Sequence, residues 1–188
     1  NTVTKDKVIR GRIGLKPGQP FNIEEARRSE ELLMRSRLFR RINMTIQPEN
    51  KDTPGYRDLL VEVEETRTGT MSFGVIAGSD SGLVGNISVD QQNFDIADFP
   101  ETWDEFLHGK SFVGAGQQFT MAFQPGDEIF NYEIGLTDPR FLDTDYSLGG
   151  SAGWTQRNYE DYTQEKLFSS LRLDRKLGDV WYGSMSLS

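Results

Sequence analysis

Gln118-Phe119-Thr120-Met121-Ala122-Phe123-Gln124, a turn at Pro125-Gly126-Asp127, and then Phe130-Asn131-Tyr132-Glu133-Ile134-Gly135-Leu136-Thr137 decide how this chain is read. Side chains of an extended chain point alternately to opposite faces, so apolar–polar alternation predicts a strand with one dry face. Phe119, Met121 and Phe123 fall on one side of the first strand, with Gln118, Thr120 and Gln124 on the other. Phe130, Tyr132, Ile134 and Leu136 do the same in the second strand, against Asn131, Glu133 and Thr137. The proline and glycine between them predict a hairpin.

The pattern continues in both directions. Upstream, Met71, Phe73, Val75 and Ala77 alternate with Ser72, Gly74, Ile76 and Gly78, and Leu83, Ile87 and Val89 alternate with Asn86, Ser88 and Asp90. Downstream, Tyr146, Leu148, Ala152 and Trp154 share a parity, as do Leu167, Leu171 and Leu173. Trp181, Met185 and Leu187 open a seventh strand. A soluble sandwich and a transmembrane barrel both show this alternation, because each has one apolar face. Three features favour the barrel. The strands run about 9 to 11 residues, the length a tilted membrane strand needs. Aromatics such as Phe130, Tyr146, Trp154, Trp181 and Tyr182 fall near strand ends, as an interfacial girdle would. The connections at Ser79–Gly82, Pro125–Asp127 and Lys176–Asp179 read as simple up-and-down hairpins. Mean hydropathy is −0.57, and no apolar run reaches the ~20 residues of a spanning helix.

Before these strands the composition differs. Through Arg67, Lys and Arg outnumber Asp and Glu by 14 to 11; beyond it the acids lead by 18 to 7, and 15 of the 19 glycines follow Thr68. The expected boundary lies near Thr66 to Gly69, giving domains at 1–67 and 68–188. Val3 to Val8 predicts a short helix with Thr4 as cap and Val3 and Val8 as a hydrophobic staple, ending near Ile13-Gly14. A turn at Leu15 to Pro20 precedes a second helix, started by Asn22 with Glu25 and running to about Arg37. Its apolar side is expected at Ile23, Ala26, Leu33 and Met34. Two strands follow, Phe39 to Gln47 and Leu59 to Glu65, joined by a polar loop from Pro48 to Tyr56.

In order, Asn1-Thr-Val-Thr-Lys-Asp-Lys-Val-Ile-Arg10, Leu15-Lys-Pro-Gly-Gln-Pro-Phe-Asn22, Ser36-Arg-Leu-Phe-Arg-Arg-Ile42 and Asp58-Leu-Leu-Val-Glu-Val-Glu-Glu65 resemble a POTRA domain. Val61 to Gly69 leading into Met71-Ser-Phe-Gly-Val75 is similar to the junction of the last POTRA domain with the first barrel strand. Gln91-Gln-Asn-Phe94 and Glu133-Ile-Gly-Leu-Thr-Asp-Pro-Arg-Phe141 resemble the ends of the second and fourth strands. The chain is thus similar to outer-membrane assembly factors of the BamA type. The resemblance implies an α+β POTRA domain lacking its first strand, then about seven antiparallel strands of a larger transmembrane β-barrel. It implies a bacterial outer-membrane protein with its POTRA part in the periplasm, and further barrel strands outside these residues. The connection from Asp95 to Gly116 departs from the short turn of that family. Pro100 to His108 predicts a short helix with Trp103, Phe106 and Leu107 on one side. An interfacial helix at the inner leaflet and a plain loop insertion both fit.

No catalytic, cofactor or metal site is expected. There is no cysteine and one histidine, His108, so a zinc site lacks ligands. Asp104-Glu105 and Asp127-Glu128 read as solvated carboxylates rather than an acid–base pair. No phosphate-binding loop or Gly-x-Ser-x-Gly elbow occurs. Arg35, Arg37, Arg40 and Arg41 lack the interleaved aromatics of a nucleic-acid surface.

The resemblance implies a non-enzymatic role: accepting unfolded β-barrel precursors and promoting their insertion into outer-membrane lipid, with accessory lipoproteins as candidate partners. Two strand edges are the expected client-pairing sites. One is Arg41, Ile42, Asn43, Met44, Thr45 and Ile46; the other is Thr70, Met71, Ser72, Phe73, Gly74, Val75 and Ile76. Phe119, Met121, Phe123, Phe130, Tyr132, Ile134 and Leu136 are expected to face lipid. The alternatives are a secretion channel of the same POTRA–barrel superfamily that passes one dedicated partner, and a soluble sandwich-type binding module.

Overall fold

A computed structural model describes residues 3–48, 57–78, 82–177 and 181–188. The Pro48–Tyr56 loop, the Ser79–Gly82 turn and the Lys176–Asp179 turn thus fall largely outside the described residues. Two helices and two strands come first: α1 Asp6–Arg10, α2 Ile23–Arg35, β1 Phe39–Ile46 and β2 Leu59–Glu65. Then come β3 Gly69–Gly78, β4 Gly82–Phe94, α3 Trp103–Leu107, β5 Gln117–Gln124, β6 Ile129–Asp138, β7 Tyr146–Asn158, β8 Thr163–Leu177 and β9 Trp181–Leu187. Three of these, β4, β7 and β8, reach 13, 13 and 15 residues, longer than the 9 to 11 expected.

The first unit closes a small core. Leu33, Leu38, Phe39, Ile42, Val8 and Ile9 are buried together, with Ile13, Met44, Val61 and Val63 against them. Asn22 caps α2 by accepting from Glu24 N–H at 2.9 Å. The buried stripe of α2 is Ser29 and Leu33; of the expected side, Leu33 is buried, while Ile23 and Met34 are exposed. Ser29 sits inside because its hydroxyl donates to Glu25 O (2.6 Å) and accepts from Gly14 N–H (2.9 Å), so its burial costs no hydrogen bond.

The expected cap of α1 is also corrected. Lys5 stands at the N-cap without a side-chain bond, and the helix stops at Arg10. Thr4 and Val3 are drawn elsewhere: their amides donate to the Glu65 carboxylate at the end of β2. Val3 is exposed, so no staple with Val8 forms. A tertiary acceptor has displaced the local cap.

The remaining strands form one antiparallel sheet in the order β3-β4-β5-β6-β7-β8-β9, every neighbour joined to the next in sequence. Its register carries one face from β3 through β8. Phe73, Ile87, Phe123, Tyr132, Trp154 and Leu167 stand in one row, and Met71, Val89, Met121, Ile134 and Ala152 in another. The opposite face carries Thr70, Asp90, Thr120, Gly135, Ser151 and Ser170 in register. Among the described residues no second sheet packs on the apolar rows, and Phe73, Tyr132, Ile134 and Leu167 are exposed. The apolar face carries aromatic clusters at both ends. Phe123, Phe130 and Trp154 pack at one end, with ring centroids 5.2 to 5.4 Å apart. Phe94 and Phe119 stack at the other, 4.8 Å apart. No helix among the described residues is long and apolar enough to cross a membrane; any crossing falls to the strands.

Candidate functional site

Two strand edges and the joint between the two units are the places where this fold can act. β3 lies at the edge of the seven-stranded sheet, and all ten of its residues are exposed. One backbone bond fixes which amides point outward. Gln92 N–H donates to Thr68 O at 3.0 Å, in the register that pairs Gly69 with Gln91. Bonded and non-bonded pairs alternate along an antiparallel ladder. Thr70, Ser72, Gly74 and Ile76 therefore turn their amides toward β4, and Met71, Phe73 and Val75 turn theirs away from the sheet. The outward donors thus belong to residues whose side chains lie on the apolar face. A Cβ on Gly74 would meet nothing closer than Asn86 Cβ at 4.0 Å. Glycine there is not forced by packing; it thins the edge and leaves the strand easier to deform.

The second edge follows the same rule. Gln47 N–H donates to Asp58 O at 2.8 Å, continuing the β1–β2 register, so Ile42, Met44 and Ile46 turn their amides outward. Asn43 Nδ2 donates to Glu62 across the pair (3.0 Å). Arg40 ion-pairs with Glu64, and that hydrogen bond holds the Glu64 carboxyl below its usual range. β1 and β2 have only each other as ladder partners among the described residues. The residues expected to pair with clients therefore form two separate edges.

The joint between the units was not legible in the sequence. Asn93, 2% exposed, is its hub. Its Nδ2 donates to Thr4 Oγ1 (3.0 Å), its Oδ1 accepts from Gly116 N–H (2.9 Å), and its carbonyl accepts from Gly114 N–H (2.8 Å). Lys5 ion-pairs with the buried Asp95, and Lys5 N–H donates to Gly114 O at 2.8 Å. Arg140, in the β6–β7 connection, donates to Gly11 O at the end of α1. Burial pulls the nearby Arg12 guanidinium below its ordinary pKa; Arg140 adds to this and Asp138 opposes it. A cavity of about 310 Å³ lies among Lys7, Arg12, Gln117, Asp138 and Arg140. The available signal was Gly114-Ala115-Gly116. Both glycines have positive φ, and a Cβ would meet Val3 O at 2.6 Å or Val8 Cγ1 at 2.9 Å. Two glycines at a close approach mark a docking point.

Comparison with known proteins agrees with this layout. Residues 1–66 match the POTRA family, described as surface antigen variable number repeat. Residues 111–188 match the Omp85 superfamily domain. The chain belongs to the BamA-type POTRA–Omp85 proteins. It is 25% identical over 181 residues to the outer membrane protein assembly factor BamA of Nitratidesulfovibrio vulgaris, covering 95% of this chain and 20% of that protein. It is 31% identical over 93 residues to BamA of Buchnera aphidicola subsp. Acyrthosiphon pisum, covering 50% of this chain and 15% of that protein. The chain therefore spans about a fifth or less of the length of these BamA relatives. In fold it is similar to the crystal structure of BamA from Haemophilus ducreyi lacking POTRA domains 1-3. The TM-score is 0.67 at 22% identity, over 92% of this chain and 30% of that one. In these BamA-type terms, the Asn93 joint fastens the POTRA unit to the connections that follow β4 and β6.

Proposed function

We propose that this protein is an outer-membrane assembly factor that accepts unfolded β-barrel precursors and promotes their folding and insertion, with its POTRA unit in the periplasm. The observation that carries the reading is β3, the edge strand of the described sheet. Its outward amides at Met71, Phe73 and Val75 offer main-chain donors with a spacing that any extended client strand can match, whatever its side chains. The β1 edge, with Ile42, Met44 and Ile46 amides outward, offers an earlier pairing site on the periplasmic side. The apolar face, including Phe119, Met121, Phe123, Phe130, Tyr132, Ile134 and Leu136, meets lipid, so a client strand added at β3 enters with its own apolar face in the bilayer. Similarity to proteins named outer membrane protein assembly factors supports the same role.

Proline tests this because it removes one ladder donor. In the full-length protein, Phe73→Pro deletes an amide that points outward, while Phe73→Ala keeps it. Phe73→Pro is expected to abolish client insertion while the mutant barrel itself still reaches the membrane folded, and Phe73→Ala to insert clients normally. Normal insertion by Phe73→Pro would refute templating at β3 and favour a channel that passes its partner through the lumen.

A further inference from the structure

The connection between β4 and β5 is much longer than the others, and its base is built rather than loose. Asp95 N–H donates to Phe112 O, Phe112 N–H to Asp98 O and Gly114 N–H to Asn93 O, each at 2.8 Å. Asp98 Oδ2 also accepts from Val113 N–H at 3.2 Å. These bonds hold the two ends of the connection side by side, so what they carry has a defined position.

What they carry is an aromatic ridge. Phe119 lies on the apolar face of β5, paired with Leu136. Phe94 stacks on Phe119 at 4.8 Å, Phe112 stacks on Phe94 at 5.7 Å with 7° between the rings, and Phe99 meets Phe112 edge-on at 5.5 Å. The ridge thus begins in the apolar face and leaves it at the POTRA end of the sheet. Beyond it, Ile96, Phe99 and Trp103 are 50%, 71% and 81% exposed. Apolar side chains this exposed would be costly in water beside an otherwise polar loop. Aromatic side chains at the end of a membrane face belong to the headgroup level, where an apolar body meets a polar surrounding.

We propose that the 95–116 connection is a membrane-interface anchor, with Ile96, Phe99 and Trp103 seated in the periplasmic leaflet of the bilayer that β3 to β9 cross. The proposal rests on the reading that the apolar face of the sheet meets lipid. Continuity of the ridge with that face selects lipid as the occupant. Charge argues for the same mode of binding. The connection bears Asp95, Asp98, Glu101, Asp104 and Glu105 against Lys110 and His108, so apolar insertion holds it and anionic headgroups do not attract it. The Lys5–Asp95 pair and the Asn93–Thr4 bond join the base of the anchor to the POTRA unit. The anchor thereby sets the height of the POTRA unit against the membrane.

The test uses the full-length protein, freed of any other cysteine and reconstituted in phosphatidylcholine vesicles, with an environment-sensitive fluorophore on single cysteines. Ala97→Cys reports the anchor, Leu167→Cys the apolar face, and Gln118→Cys the lumenal face. Lipids carrying a nitroxide at a shallow or a deep acyl position act as quenchers. The label at 97 is expected to lose emission with the shallow quencher more than with the deep one. The label at 167 is expected to be quenched, and that at 118 not. Adding Phe99→Ser and Trp103→Ser should release the label at 97 without affecting 167. Quenching at 167 with none at 97 overturns the anchor and leaves the barrel reading intact. No quenching at 167 overturns both. Quenching at 97 that appears only when anionic lipid is added overturns apolar anchoring.

Discussion

An arginine placed at Ile134 tests the proposed lipid face directly. Ile134 sits midway along β6 (Ile129–Asp138), opposite Met121 and Ala152, so it falls near the middle of the proposed membrane span. An arginine at the midplane costs about 2–4 kcal/mol, falling to about 0–1 near the interfaces. At about 1.4 kcal/mol per tenfold, Ile134→Arg should shift the folding equilibrium by roughly 30- to 700-fold. Phe130 lies near the outer end and packs against Phe123 and Trp154. Replacing it also forfeits ring contacts worth about 0.5–1.5 kcal/mol each. The informative quantity is therefore the arginine cost minus the alanine cost at each position: about 2–4 kcal/mol at 134 and about 0–1 at 130. Gln118→Arg, on the exposed polar face proposed to line the lumen, should change stability by about 0.5 kcal/mol or less. Asn131 is a poor control despite lying on the same polar face. Its amide donates to Gln124 (3.3 Å) and its Oδ1 accepts from Thr155 (2.8 Å), so Asn131→Arg breaks a bonded cluster. The assay is a denaturant titration of the full-length protein in bilayers, following the gel-mobility difference of folded barrel. Equal arginine penalties at 134 and 118 would refute the assigned faces.

Other positions give further outcomes. Leu33→Ala should destabilise the first unit by about 2–5 kcal/mol, read by thermal unfolding, because Leu33 is fully buried in its core. Asn93→Leu leaves the Gly116 amide without this partner and removes the bond to the Thr4 hydroxyl; hydrogen exchange at the Gly116 amide should accelerate, with a cost of about 1–3 kcal/mol for the orphaned amide, while exchange in β6 stays unchanged. Gly153→Ala should cost about 1–3 kcal/mol, because its Cβ would come within 2.3 Å of Phe168 Cζ and 2.7 Å of Tyr132 O. Phe168→Ala should rescue only part of that, since the backbone contact remains.

The seven strands were legible because a sheet with one apolar and one polar face imposes a two-residue period on every strand, so each strand repeats the same signal. Phe119 to Leu136 show it without interruption, and the register places these residues on one face. The expected second-helix face held at Leu33 and failed at its two ends, Ile23 and Met34. α2 touches its small sheet along a stripe only as wide as Ser29 and Leu33, leaving Ile23 and Met34 outside, and a serine whose hydroxyl is satisfied by Glu25 O and by the Gly14 amide fifteen residues away does not register as a core residue. Thr4 failed as a cap because its partners, Glu65 and Asn93, lie 61 and 89 residues away. The joint was invisible for the same reason. It is assembled from Lys5, Gly11, Asn93, Asp95 and Arg140, which share no local pattern, and only the paired glycines at 114 and 116 left a trace.

Capture of a client strand at β3 tests the central claim most directly. Ser72 and Ile76 lie on the polar face of that strand, with amides turned toward β4, so a cysteine at either position leaves the outward donors in place. In the full-length protein, cysteine at 72 or 76 is expected to crosslink to a cysteine scanned along the edge strand of a stalled barrel precursor. The partners should step back by two along the client for each two forward along β3, as an antiparallel register requires, and cysteine at Asn86, one strand in from the edge in β4, should give none. Absence of any crosslink at 72 and 76 from a precursor that nevertheless stalls on the protein would contradict the account.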